Sequence, residues 1–328
     1  MATPRDPATL VAAARLYYID GLSQAQVAAT LETSRSNVSR MLTEAQSQGI
    51  VEIRINDPAG RVHELEERLV DAFGLHEARV AQSSTSAGAR TDAQVGRQAA
   101  RLLLESLKDG MRIALSWGHA LQSMVYATTA DTELHGLELV QLVGGMSSIS
   151  NEISGQELVR ELAVRIRADY RLLHAPAALE SPAARDALLA ERSIAQALED
   201  SAQADLAVVG VGTPTLGSSA AILDSMRLSE HDRERFWAAQ PSGDIAARYY
   251  DAVGRPIRGA VDDRVLGVDL DHLVKIPHVI GVAHGRAKTP GVLGALRGRI
   301  IDSLVCDESL ARSVLTAARD DVTPGGAS

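Results

Sequence analysis

Aromatic side chains are scarce in this 328-residue chain: two Trp, six Tyr and two Phe make up 3% of it. Any core must therefore be assembled from Ala, Val, Leu and Ile, and an apolar fraction of 45% is ample for two domains of ordinary size. There is one cysteine, Cys306, so no internal disulfide can form; beside Leu304 and Val305 it reads as a small core residue and not as a reactive thiol. Long apolar runs are missing too. No stretch approaches the roughly 18 consecutive apolar residues of a membrane helix, and Met1 to Pro7 has no apolar segment of the signal-peptide kind. Metal-binding spacing is also absent: His63 lies in HELEE, without the second histidine of HExxH, and the other histidines are scattered. These absences lead us to expect a cytoplasmic protein without a membrane partner, a metal or a cofactor.

What is present begins with helix punctuation near the N-terminus. Apolar residues Leu10, Ala13, Ala14 and Tyr17 recur at helical spacing from Ala8 to Ile19, and Asp20-Gly21 stops that helix. Ser23 followed by Gln26 forms a capping box for a second helix, with Leu22 and Val27 placed as a hydrophobic staple. Glu32-Thr33-Ser34 is a tight turn, and Ser34 can cap a third helix running to about Gln48, where Gly49 ends it. Ile50 to Ile55 alternates as a strand or wing, and Asn56 to Gly60 reads as a linker. A helix from Arg61 to Phe73 has an apolar stripe of Val62, Leu65, Leu69 and Ala72, and Ser83 to Thr91 reads as a loop.

The third helix turns Val38, Met41, Leu42 and Ala45 inward and leaves Arg35, Ser36, Asn37, Ser39, Arg40 and Thr43 outward. Arginine matches guanine O6/N7 and asparagine matches adenine N6/N7 in the major groove, while serine and threonine reach phosphates or bases. With Ser23, Gln24 and Ser34 at the helix starts, this is a candidate helix-turn-helix for double-stranded DNA; a polar-faced bundle for protein contact is the alternative. The net charge of −9 opposes DNA binding overall, but affinity follows local charge. Between Thr33 and Thr43 stand two arginines and no acid. So modest a head implies several subunits acting together.

Beyond Asp92, short β-rich runs alternate with amphipathic helices. The strand candidates are Arg112–Ser116, Leu137–Val143, Tyr170–His174, Leu206–Val211, Val279–Ala283 and Ser303–Cys306. The helices between them include Gln94–Leu107, Gln156–Arg167 and Ser193–Ala202. This alternation predicts a Rossmann-like α/β domain with a mostly parallel sheet, and in such folds ligands sit beyond the carboxyl ends of the strands. Ser116-Trp117-Gly118-His119 leaves a strand and opens a helix, so its backbone N–H groups can face an anion. Gly144-Gly145 offers either a second close backbone approach or only a turn. Gly210-Val211-Gly212 resembles a dinucleotide loop weakly, since Thr215 stands where the third glycine belongs and Pro214 interrupts the helix start. Lys288, one of three lysines, follows a strand end and can hold an anion or form a Schiff base. Asp244 can accept sugar hydroxyls or serve as a turn aspartate.

Set in order, these blocks resemble the SorC family of sugar-responsive transcription regulators. "GLSQAQVAATLETSRSNVSRMLTEAQSQGIVEIRI" (Gly21–Ile55) has the family's helix-turn-helix cadence. "IALSWGHALQSMV" (Ile113–Val125), "VQLVGGM" (Val140–Met146), "LLHAPA" (Leu172–Ala177), "DLAVVGVGTP" (Asp205–Pro214), "SGDIAARYYDAVGRPI" (Ser242–Ile257) and "VIGVAHGRAKTPGVLGALRGRIIDSLVCDE" (Val279–Glu308) resemble its sugar-binding domain. The resemblance implies a winged-type DNA-binding domain over residues 1–57. Residues 58–328 would form an effector-binding and oligomerising domain related to sugar-phosphate isomerases, assembling as a dimer or tetramer. It implies that the loop at Ser116–His119 holds the phosphate or a hydroxyl end of a sugar, although relatives carry threonines where His119 and Ala120 stand. It also favours Lys288 as a ligand contact. A sugar-phosphate isomerase or deaminase with an accessory helical domain, using Lys288 and Asp244 as acid and base, is the alternative; no acid–base pair at motif spacing supports it.

Overall fold

The computed structural model describes residues 6–51, 60–82, 91–129, 133–146 and 154–320. Two compact units divide the chain, one up to residue 57 and one from residue 58 onward.

The smaller unit is three short helices around a core of its own. Helix α1 (Pro7–Ala14) is capped by Asp6 and continues as a π-turn over Arg15–Ile19. Helix α2 (Gln24–Thr30) starts at the expected capping box: the Ser23 N–H donates to Gln26 Oε1 at 2.9 Å, and the Gln26 N–H donates back to Ser23 Oγ at 3.4 Å. Helix α3 (Arg35–Ser47) is capped by Ser34, whose Oγ accepts the Asn37 N–H at 3.2 Å. Gly49 ends the segment in the left-handed region, at φ +72°, where a side chain would be strained. Leu10, Val27, Val38, Met41, Leu42 and Ala45 are buried together, with Leu22, Ile50 and Val51 packed against them. The expected wing lies, from residue 52 onward, outside the described residues, as do most of the linker and of the Ser83–Thr91 loop.

In the larger unit, α4 (His63–Phe73) packs on β1 (Glu77–Ala81). It buries Leu65 and Leu69 as the spacing predicts, but Ala72 is exposed and Glu66 is buried instead. Glu66 accepts both Arg61 Nε and Nη2 at 2.9 Å and the Val80 N–H at 2.8 Å, which compensates its burial. Helix α5 (Thr91–Ser106), β2 (Arg112–Leu115), α6 (His119–Ala127), β3 (Glu138–Gln141), α7 (Gly155–Ile166) and β4 (Asp169–Arg171) follow. Then come α8 (Pro182–Leu189), α9 (Arg192–Ala202), β5 (Leu206–Gly212), α10 (Gly217–Ser225) and α11 (Glu230–Ala238). A hairpin, β6 (Gly243–Ile245) and β7 (Arg248–Tyr250), precedes α12 (Leu270–Leu273), β8 (Val279–Val282), α13 (Thr289–Arg297), β9 (Ser303–Asp307) and α14 (Glu308–Asp320).

The sheet runs β1-β9-β8-β5-β2-β3-β4 with every pair parallel, and the hairpin joins β5 antiparallel through β6. Rows of touching helices, α5–α6–α7 and α13–α14–α4, cover it, and β5, β8 and β9 are buried almost throughout. That double covering is why those strands read as continuous apolar runs. The chain steps outward from β2 to β3 and β4, then returns to β5 and proceeds the other way through β8 and β9. The boundary between β2 and β5 is therefore the topological switch point, where two adjacent crossovers diverge and leave a crevice at the strand ends.

Candidate functional site

A cavity of about 190 Å³ opens at that crevice, small against the ~300–1,000 Å³ of drug-sized pockets. Trp117 to Ala120 form one side, Gly210 to Thr213 with Leu216 to Ser219 another, and Asp244, Ala246, His284 and Lys288 the rest.

Gly118 is the N-cap of α6 at φ +129°, a conformation that L side chains rarely adopt, and a Cβ there would meet nothing within 4 Å. Gly217, at φ +58° in the first turn of α10, is placed in the same way, so both glycines line the cavity with open space beside a backbone that favours glycine. Helix α6 has no side-chain cap, and neither does α10, whose N-cap is Leu216. Their first turns both line the cavity. Most other helix starts use Ser or Asp caps, as at Ser154, Ser181, Ser229 and Asp269. Two helix N-termini without side-chain caps, facing one cavity, supply backbone donors and positive dipole ends for a negatively charged group.

Asp244 sits on β6, 4% exposed. Its Oδ1 accepts the Ser219 hydroxyl, and the backbone N–H of Ala247 and the charge of Lys288 also favour its ionised form. Burial outweighs them and lifts the carboxyl to about 6. Lys288 donates from Nζ to the Val211 carbonyl at 2.8 Å, and burial lowers its pKa against the pull of Asp244. Gly212 makes this arrangement possible: a Cβ there would collide with both the Asp244 carboxylate and the Ser219 hydroxyl.

The hairpin turn is built from Ala246 and Ala247, both left-handed at φ +52° and +63°. Two-residue hairpins of this hand ordinarily use Asn or Gly, so the turn is strained, as functional loops often are. Its surroundings hold it. Tyr249 donates its hydroxyl to the Ser219 carbonyl at 2.6 Å, and Tyr250 to the Gly291 carbonyl at 3.0 Å. Arg248, 6% exposed, donates to Asp262 Oδ1 and to the Asp262 and Gly267 carbonyls, each at 2.8 Å.

Among the residues expected at the effector site, Trp117, Gly118, His119, Asp244 and Lys288 line this cavity. Ser116 does not: it is 2% exposed, and its Oγ accepts the Gly210 N–H at 3.3 Å, tying β2 to β5 beneath the cavity floor. Gly144 and Gly145 lie elsewhere as well. A Cβ on Gly144 would strike the Pro176 backbone, and Gly145 exchanges backbone bonds of 2.9 and 2.8 Å with Ala175 and Ala177. Their close approach is to this chain and not to the cavity, although the Gly144 carbonyl fixes the indole, accepting Trp117 Nε1 at 3.1 Å. Sequence reasoning missed Thr213, the Leu216–Ser219 turn, Ala246 and His284, and read Gly210 and Gly212 only as a weak dinucleotide loop. The usable signal was position: Thr213 follows β5, which borders the switch point, and His284 follows β8, the strand next to β5.

On the smaller unit, Arg35, Ser36, Ser39 and Arg40 of α3 are exposed, together with Ser23 and Ser34 at the caps; Gln24 is half-buried. Asn37 is half-buried and donates from Nδ2 to Thr33 Oγ1 at 2.9 Å, so part of its amide is committed to the turn before α3. Ser23 and Ser34 are likewise engaged as caps. No helix among the described residues is long and apolar enough to cross a membrane.

Comparison with known proteins places the chain among regulators. Residues 57–316 match the family described as "Putative sugar-binding domain". The deoxyribonucleoside regulator of Bacillus subtilis is 31% identical over 305 residues, which cover 93% of this chain and 96% of that protein. The sorbitol operon regulator of Klebsiella pneumoniae is 30% identical over 316 residues, covering 96% and 100% respectively. The crystal structure of the full-length sorbitol operon regulator SorC from Klebsiella pneumoniae superposes with a TM-score of 0.71 at 30% identity, covering 94% of this chain and 98% of that one.

Proposed function

The chain belongs to the SorC family of sugar-responsive, DNA-binding transcription regulators, and we propose that its effector binds in the cavity at the switch point with an anionic end toward α6 and α10. The observation that carries this reading is the convergence of two helix starts without side-chain caps and the Lys288 ammonium on one small cavity. Asp244, held by Ser219, then accepts hydroxyls from the sugar end. A sugar phosphate fits both ends; a neutral sugar or sugar alcohol uses only the Asp244 end. Acid–base chemistry at Asp244 and Lys288 is set aside, because the curated relatives are regulators.

The DNA contacts fall to α3, with Arg35 and Arg40 toward bases or phosphates and Ser39 beside them. Each head carries little positive charge against a net −9, so the working unit is an assembly of copies, a dimer or a tetramer. The effector then alters the balance between subunit arrangements, and a coupling of ~1–3 kcal/mol changes operator affinity roughly 5- to 150-fold.

Binding to a fragment from upstream of the protein's own gene, with and without a panel of sugars and sugar phosphates, tests this. Arg35→Ala is expected to abolish specific DNA binding while leaving ligand-induced thermal stabilisation intact, and Lys288→Ala the reverse. With Lys288 gone, the Asp244 carboxyl, already lifted to about 6, loses the charge that favours its ionised form and is pushed further up, so it takes up a proton more readily. If both substitutions act alike, the division of labour between the two units is wrong.

A further inference from the structure

His284 lines the same cavity, and nothing in the DNA-binding or hydroxyl-accepting scheme uses it. It lies two residues past the end of β8, between Ala283 and Gly285, and is half-buried. Four charged or titratable groups surround it: Lys288 from its own loop, His119 from α6, Asp307 from β9 and Asp92 from α5. Asp307 and Asp92 favour a proton on His284, but burial, the largest influence, outweighs them. Asp307 is spent on backbone, accepting the Gly285 N–H at 2.6 Å through Oδ1 and the Ser309 N–H at 3.1 Å and hydroxyl at 2.5 Å through Oδ2. Burial, Lys288 and His119 together disfavour a proton on His284. A doubly negative group seated in the cavity, which His284 lines together with Lys288 and His119, would favour a proton on His284, because the attraction is poorly screened there.

We propose that His284 is a specificity-determining residue of the effector cavity, which takes up a proton from solvent when an anionic group is seated and so favours dianionic effectors over neutral ones. The proposal rests on the effector-cavity reading above. Its consequence is a direction: a site that binds its ligand together with a proton gains affinity as pH falls, by up to about tenfold per pH unit for one proton. Asp244 works in the same sense toward an anion, because its protonation removes a repelling charge. Only a His284 variant separates the two.

Sulfate is the probe, because its own charge stays at −2 throughout the range, whereas phosphate titrates there. Calorimetric titration of the full-length protein with sulfate between pH 6 and 8 is expected to show affinity rising as pH falls, with proton uptake revealed by buffers of different ionisation enthalpy. His284→Asn is expected to bind sulfate several-fold more weakly at pH 6 and to lose about one proton from the uptake. His284→Lys keeps a cation across the range and is expected to bind sulfate tightly with a flatter pH dependence, which guards against reading misfolding as a result. Proton uptake and a pH slope as large in His284→Asn as in the unaltered protein assign the proton to another group and overturn the proposal. Sulfate binding with no pH slope in the unaltered protein also overturns it. A neutral sugar that binds where sulfate does not overturns it while leaving the cavity as the effector site. If sulfate, sugars and sugar phosphates all fail to bind, the effector-cavity reading falls with it.

Discussion

Gly212 shows how one missing side chain organises the site. Its Cα faces the Asp244 carboxylate and the Ser219 hydroxyl so closely that any Cβ would push them apart. Overpacking at such a place costs ~1–3 kcal/mol, and here the displaced groups are the ones proposed to hold a sugar hydroxyl. Gly212→Ala is expected to lower thermal stability by that amount and to abolish the melting shift produced by whichever sugar or sugar phosphate stabilises the unaltered protein. Retention of that shift would show that Asp244 and Ser219 need not be where they are. Ala246 and Ala247 carry the opposite lesson. Their left-handed backbone is imposed by Tyr249, Tyr250 and Arg248, each pinned by hydrogen bonds, so residue type is subordinate to surroundings. No sequence rule marks Ala-Ala as a hairpin turn, which is why this one went unread although Asp244 beside it was singled out.

Helices were legible where side chains cap them or apolar spacing marks a face. Ser23 with Gln26, Ser34 before α3, and the stripe Val38, Met41, Leu42 and Ala45 appear as expected, because these signals are local. Ser23→Ala removes one half of the capping box and is expected to cost about 1 kcal/mol. In hydrogen exchange on the full chain, that should speed exchange of the α2 amides about fivefold where local opening governs it, with α14 unaffected. Strands were legible where both faces are covered, as in β5, β8 and β9. Those that were missed lacked that signature. In β1, Glu77-Ala78-Arg79-Val80-Ala81 carries two charged residues, and Arg79 is buried only because Glu77 and Glu105 pair with it. In β6 and β7 the strands are three residues each, too short for alternation to register.

Across the whole molecule, the switch point between β2 and β5 did more to locate the site than any motif. Strand order is a long-range property, so the sequence could say that a ligand belongs at the strand ends but not which ends are neighbours. That is why Ser116 and the Gly144-Gly145 pair were expected at the cavity and instead hold the chain together below and beside it. Among the described residues the two units also have separate cores, nine buried apolar residues in the smaller one and a far larger cluster in the other. The scarcity of aromatics has one last consequence, for light. The only two indoles are Trp117, 8% exposed on the cavity wall, and Trp237, 42% exposed on α11. Their emission should separate into a blue component from Trp117 and a red one from Trp237 that acrylamide quenches first. With Trp237 silenced by quencher, or by Trp237→Phe, a stabilising sugar or sugar phosphate is expected to change the remaining fluorescence. An unchanged spectrum at a saturating concentration would place that ligand away from Trp117.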